Sequence, residues 1–420
     1  TIEFQLTVNH DACQLQIAQQ QLRLNEGRWS PILELTFRLG LFVKIRVLTR
    51  VILTQTEPTI KLYFLPLQLH PLHSPWRYGT PKAFLKELWR DCGPFLTLGW
   101  PQDTTGLEDG CITDSQFLAL CDEIFAGRER ILLHQLQRFD EGLLAAVFDS
   151  LDRIQHMFWR DRPDIVDQWY QKLDALVGKV AARLDDSGRV PTKVLVVSDH
   201  GFAKFDHKVH LNRWLVEHGY LTTRPESAAA SHTDQSLRSA AWRQSQAYAL
   251  GLNSVYLNLA GREGQGAVQP NEADTVTERL CTELTQWRGP DGRAVVQQVW
   301  RRAAIFDGPY AAYGPDLVIG YAPGYRGSAQ TGLGQWQAQS IEPNRDHWGA
   351  DHCVDPQAVP GVLFANQDLG NFPRPSYRDM PALAIDAAIQ PDSAAAPPPT
   401  YNNDEEEAIV EERLKSLGYL

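Results

Sequence analysis

The chain has 420 residues, 43% of them hydrophobic and 22% charged, an ordinary globular balance with enough apolar material to bury charged ligands in a sizeable core. Its net charge of −11 excludes the Lys/Arg excess that nucleic-acid binders use against phosphates, so an anionic substrate would need local positive charge such as bound metal. No stretch approaches the roughly 18 apolar residues of a membrane span, Thr1 to Gln20 lacks a signal-peptide pattern, and the six cysteines show no CxxC pair, which points to a reducing, cytoplasmic setting.

Residues 1–75 read as a β-rich lobe. Ile2, Phe4 and Leu6 alternate with polar residues, as do Leu15 and Ile17, and the runs at 32–37 and 43–47 repeat the period of two. Asn25-Glu26-Gly27 supplies a turn between them. Residues 76–389 then alternate helical and short apolar segments. Thr80 and Pro81 predict a helix start, with the hydroxyl as cap and proline at the first helical position. Asp114 or Ser115 opens an amphipathic helix to about Phe139, and Leu143 to Phe148 reads as a short strand. Helical spacing resumes over Pro163 to Leu184, a buried strand follows at Val194 to Val197, and 210–218 is helical again. Ala, Ser, Thr and His predict a mobile loop near 225–236, and further apolar strands are predicted at Asp316 to Gly320 and Gly361 to Phe364. Residues 390–420 read as a Pro/Ala linker followed by a docking helix from about Asp404 to Leu417. Helices alternating with buried strands predict an α/β layer sandwich with a mainly parallel sheet. No internal repeat is visible.

Three sets of Asp and His carry possible chemistry. In Asp152-Arg-Ile-Gln-His156, positions i and i+4 share a helix face, so a carboxylate and an imidazole can converge on one cation. A solvated Asp and a core His fit the same spacing. In Val194-Leu-Val-Val-Ser-Asp199-His200-Gly201, a buried strand ends in two ligand-type residues and a glycine, at the kind of strand terminus where open α/β sheets gather ligands. A polar turn fits that too. Asp351 and His352 sit in a third loop shortly before the strand at 361–364. Together the three sets match what a two-metal hydrolase needs, one cation polarising a phosphoryl oxygen and the other activating the attacking oxygen.

These stretches resemble the type I phosphodiesterase/nucleotide pyrophosphatase family of the alkaline phosphatase superfamily. The likeness lies in Asp152-Arg-Ile-Gln-His156-Met-Phe-Trp-Arg160, Ser198-Asp-His-Gly-Phe202, Leu211-Asn-Arg-Trp-Leu215, Gly219-Tyr-Leu221, Asp351-His-Cys353 and Val359-Pro-Gly-Val-Leu-Phe364. It continues through Asn258 to Glu263, Gly308-Pro-Tyr310, Pro315 to Val318 and Leu417 to Leu420, so it spans most of the chain from about residue 60. The resemblance implies a three-layer α/β/α alkaline-phosphatase-like sandwich and two divalent metal ions, zinc in many members. It implies a phosphate-ester or nucleotide small molecule as substrate, hydrolysed through a Thr or Ser nucleophile. By position, Asp152, His156 and His352 would bind one metal, and Asp199 and His200 the other. His347 competes with His352 for its place. A binding or structural relic of the fold, a phosphomonoesterase or a phosphomutase would carry similar ligands.

One part of the family pattern has no match. The second metal there takes another Asp from an opening strand, and the nucleophile follows it. Asp11 lacks an apolar strand before it, and Thr7 and Ser30 lack a helix start. The expectation is that Thr1 lies inside a longer parent, that the nucleophile is outside this chain, and that the chain alone is catalytically incomplete. Asp351 and His207 are candidates to orient the ligands, with His210 beside His207. Asn212 and Trp214 read as packing. Arg160 and Arg262 could face an anion or form ordinary ion pairs.

Overall fold

The structure is a computed structural model and describes residues 2–9, 12–39, 43–74, 76–186, 192–224, 235–369 and 375–385. Asp11, most of the predicted loop near 225–236, the 390–400 linker and the 404–417 helix lie outside the described residues.

Alternating residues become strands over the first part of the chain. These are β1 (Phe4–Asn9), β2 (Ala12–Ile17), β3 (Gln20–Leu24), β4 (Leu33–Leu39), β5 (Val43–Thr49), β6 (Val51–Gln55), β7 (Lys61–Phe64) and β8 (Gln68–Leu69). They pair as two antiparallel three-stranded sheets, β1-β2-β3 and β4-β5-β8, and one hairpin, β6-β7. The pleat sends Cys13, Leu15 and Ile17 into a cluster with Leu24, Leu33, Leu35, Val47, Val51 and Leu53, while Gln14 and Gln16 face water.

The helices α1 (Lys82–Cys92), α2 (Thr104–Glu108), α3 (Asp114–Gln137), α4 (Ser150–Phe158) and α5 (Pro163–Asp186) follow. Two starts differ from expectation. Pro81 has extended backbone, φ −72° and ψ 157°, so it flanks α1 instead of opening it. The cap of α3 is Thr113, one residue before the predicted position: its hydroxyl accepts from Gln116 N–H, and the Gln116 side chain accepts from Thr113 N–H. This reciprocal box satisfies two donors that helix geometry leaves orphaned, which a lone Asp114 would not do. Phe117, Leu120, Cys121 and Phe125 of α3 pack with Ile154, Met157 and Phe158 of α4 and Ile165, Val166 and Trp169 of α5. At about 2 kcal/mol for each large apolar side chain fully buried, the inner face of α4 alone contributes several kcal/mol to fixing its rotation. That rotation decides where Asp152 and His156 point.

The apolar run 143–148 is not a strand. Leu143 and Val147 are 64% and 78% exposed, and no described strand lies alongside to take their backbone N–H and C=O groups. Downstream come β9 (Leu195–Val197), β10 (Ala203–Val209), α6 (Leu211–Glu217), β11 (Ala247–Ala249), β12 (Ser254–Leu257), α7 (Ala273–Gln286), β13 (Val296–Arg301), β14 (Leu317–Tyr321), β15 (Gly324–Gly327), β16 (Ile341–Pro343), β17 (Ala350–Asp351) and β18 (Leu363–Ala365).

The architecture is mixed α/β with several small sheets. The ladders with a traced register run antiparallel, including β9 with β18, where Leu363 faces Val197. Tight returns such as β11 to β12 permit only antiparallel pairing, because a parallel pair needs a long crossover. Apolar periodicity marks a strand as buried but carries no direction.

Cα packing divides the chain into two units. The first holds residues up to Lys208 with Pro323–Arg326 and Ile341–Asn366; the second holds Val209–Ala322 and Gly327–Ser340 with the described residues after Gln367. Within the second, the sheet runs β11-β12-β14-β13, and α6 and α7 bury Trp214, Leu215, Leu280 and Leu284. All the Asp and His candidates named above except His210 belong to the first unit.

Candidate metal centre

Helix α4 presents Asp152 and His156 one turn apart on the face opposite its apolar contacts. His156 is 1% exposed. Its Nδ1 lies 2.8 Å from Ala350 O, and a carbonyl can only accept, so Nδ1 carries the proton and Nε2 keeps its lone pair. That Nε2 is 3.6 Å from Asp152 Oδ2.

His352 arrives from the segment after β17, which is pinned antiparallel to β10 with Asp351 opposite Ala203. Its Nε2 stands 3.9 Å from Asp152 Oδ1. One donor atom from each of Asp152, His156 and His352 falls within 4.8 Å of the others, close enough to share a cation. His347 is not in this group; its Nε2 lies 3.9 Å from Asp114 Oδ1 on α3.

Asp199 and His200 follow β9. His200 Nε2 is 3.6 Å from Asp199 Oδ1 and 3.9 Å from Asp152 Oδ1, and its ring stacks on His352 with centroids 3.6 Å apart. The Asp199 side chain is 81% exposed. The turn holding this pair depends on Gly361, where a Cβ would stand 2.3 Å from Ser198 O, and on Gly201, where one would stand 2.8 Å from Pro360 O. Gly201 is therefore required by the closeness of another backbone. The Ser198 hydroxyl donates to His200 O and accepts from Val362 N–H, so it serves the turn.

Burial pushes the His156 imidazole down to about 3 and lowers His352, while it raises Asp152 against the opposing effect of Arg153. The donor set is accordingly two neutral imidazoles and one carboxylate, which is the chemistry of a borderline-soft divalent ion such as zinc. An imidazolium–carboxylate pair would satisfy the same atoms only by charging a ring that is almost fully desolvated.

Asp351, expected to orient the ligands, reaches His352 through that residue's backbone N–H. Asp351 does not bond an imidazole. Its Oδ1 accepts from the backbone N–H of His352 and Cys353 at 2.7 and 2.9 Å, and its Oδ2 accepts from Trp348 Nε1 at 2.7 Å and Arg326 Nε at 2.8 Å. Burial alone would raise this carboxyl, but Arg326 and the hydrogen bonds hold it below the usual carboxylate range. His207 stacks on Tyr325, with ring centroids 5.2 Å apart. His210 is buried at the start of α6. Asn212 exchanges two hydrogen bonds with the Ala249 backbone. Arg160 pairs with Asp161 and bonds Asn344 O and Asp346 O, and Arg262 pairs with Asp316 and Glu263.

Sequence reasoning missed three participants. Trp348 stacks on His156 with centroids 3.9 Å apart, Arg326 pairs with Asp351, and Arg153 pairs with Asp152 at 2.8 Å while lying 3.2 Å from the Trp100 ring centroid. Trp348 was visible three residues before Asp351; nothing local singled out Arg326. A separate group, Glu87, Asp91 and His134, joins α1 to α3, but its carboxylates are already paired with Arg138 and Arg90.

A sequence-family profile described as "Type I phosphodiesterase / nucleotide pyrophosphatase" matches residues 74–347, well over half of the chain. A search of curated proteins finds no match.

Proposed function

Because this chain belongs to the type I phosphodiesterase/nucleotide pyrophosphatase family, we propose that it carries the metal centre of a hydrolase acting on phosphodiesters or nucleotide pyrophosphates. The family is hydrolytic, and a small-molecule phosphoester fits it. Among the described residues no helix is long and apolar enough to cross a membrane.

The observation that carries the reading is the convergence of Asp152, His156 and His352 within 4.8 Å. In it, these three hold one divalent metal, for which zinc is our choice on the strength of the nitrogen and oxygen donors. Asp199 and His200 contribute to a second. Bound there, the pair of metals would supply the positive charge that an acidic protein otherwise lacks for polarising a phosphoryl oxygen. His156 fixes its proton on Nδ1 and presents Nε2, Asp152 turns Oδ2 toward His156 and Oδ1 toward His352 and His200, and Phe202 sets its ring against all three imidazoles. Ser198 is not the nucleophile of this reading, since its hydroxyl is committed to the turn. The three-layer sandwich of the superfamily is proposed as the fold around the site, with β9 leading into Asp199.

Zinc titration of the purified chain tests the assignment. The parent should bind at least one zinc, and His156→Ala should lose the tight site; binding that is absent, or unchanged by His156→Ala, refutes it. Turnover of bis(4-nitrophenyl) phosphate, stopped by a chelator and restored by zinc, separates an active chain from one that only holds metal.

A further inference from the structure

The two imidazoles proposed as ligands of one cation are tied to a single buried carboxylate. His156 lies between the Trp348 ring, 3.9 Å away and inclined by 29°, and the edge of Phe202, 4.7 Å away and inclined by 74°. Its Nδ1 is held by Ala350 O, and its own carbonyl accepts from Gly349 N–H at 2.9 Å. The indole that covers it is anchored through Nε1–H to Asp351 Oδ2, while Asp351 Oδ1 takes the N–H of His352. Asp351 is 1% exposed, and a carboxylate so buried is tolerated only with a charge partner. Arg326, on β15, provides it.

We propose that Trp348, Asp351 and Arg326 form a clamp that presets the His156 ring and the His352 backbone for one divalent cation. The inference rests on the ligand reading above. None of the three is placed among the ligands of that cation, so they are positioning residues. An imidazole free to rotate must be ordered when metal binds, and that entropy comes out of the affinity; a ring already stacked and bonded spends less. Asp351 couples the two ligands because one of its oxygens controls the wall of His156 and the other the approach of His352. Partners of this kind change metal affinity by about 10–100-fold when removed.

The test measures zinc affinity by competition with a chromophoric chelator, together with the visible absorption of the cobalt(II)-loaded chain. Trp348→Phe keeps a ring over His156 but loses the N–H, and is expected to weaken zinc about 10-fold; Trp348→Leu and Arg326→Gln should approach 100-fold. The cobalt bands should shift even at saturating metal, because ring orientation and not only occupancy has changed. Metal-free unfolding of Trp348→Phe should stay near the parent. Parent-like affinity and cobalt spectrum in all three variants, with tight binding still lost in His156→Ala, overturns the clamp and leaves the ligand reading standing. A parent that binds no zinc, or as tightly as His156→Ala, overturns both. Weakening confined to Trp348→Leu and matched by an equal loss of metal-free stability assigns Trp348 to packing alone, and also overturns the clamp.

Discussion

Replacing Gly361 with alanine tests the close approach that holds Asp199 and His200 in place. The added Cβ would stand 2.3 Å from Ser198 O and 3.2 Å from Asp199 C, both backbone atoms. Ordinary contact begins about 1 Å farther out, and no flexible side chain is available to give way. Relief must come from separating the 359–362 segment from the turn after β9. That movement strains three hydrogen bonds: Ser198 N–H to Val362 O at 2.9 Å, Val362 N–H to Ser198 Oγ at 3.3 Å, and Gly201 N–H to Val359 O at 2.9 Å. Overpacking costs about 1–3 kcal/mol, and each lost bond about 0.5–1.5 kcal/mol, so a loss of about 1.5–6 kcal/mol follows if one or two of the bonds break. Gly178 is the control. It lies on the exposed side of α5 with open space around it, so Gly178→Ala should stabilise the helix by about 0.5–1 kcal/mol. Urea unfolding followed by tryptophan fluorescence should place the two alanine variants on opposite sides of the parent midpoint. A Gly361→Ala midpoint equal to or above the parent would refute the close-approach argument.

Two further predictions concern stability away from the centre. Asn212→Ala removes both hydrogen bonds to Ala249 and leaves a buried N–H and C=O unpaired, so a loss of about 2–4 kcal/mol is expected, read as a lower urea midpoint; an unchanged midpoint would show that water or another group replaces the amide. His70 is buried against Trp89, accepts Leu72 N–H on Nδ1, and lies 3.3 Å from Glu34, near His73 and Arg46. Burial outweighs Glu34 and lowers its pKa, so the unfolded chain takes up the proton first and stability falls as pH drops from about 6.5 through the lower folded value. His70→Gln should flatten the fall in urea midpoint between pH 7 and pH 5, and parallel curves for parent and variant would refute the assignment.

Much of the local structure was legible from the residues alone. Alternation located β1, β2, β4 and β5, and the i, i+4 spacing put Asp152 and His156 on one face of α4, because side-chain direction within a strand or helix follows from backbone geometry. The family resemblance was likewise carried by short stretches of sequence. Pairing was not legible. The run at 143–148 has the composition of a strand but lacks a neighbour among the described residues, and the direction of β9 against β18 is set by how the chain returns.

The sequence by itself offered Asp152, His156, His352, Asp199 and His200 as candidates, from their types and spacing together with the family resemblance. Tertiary structure decided which of them meet. Ala350 O reaches His156 across 194 positions of chain, and Arg326 reaches Asp351 from a separate strand. Periodicity reports only which side of an element is buried. The contacts that seat an imidazole arise when separate elements pack, at distances set by side-chain volume and by the two glycines that let backbones touch.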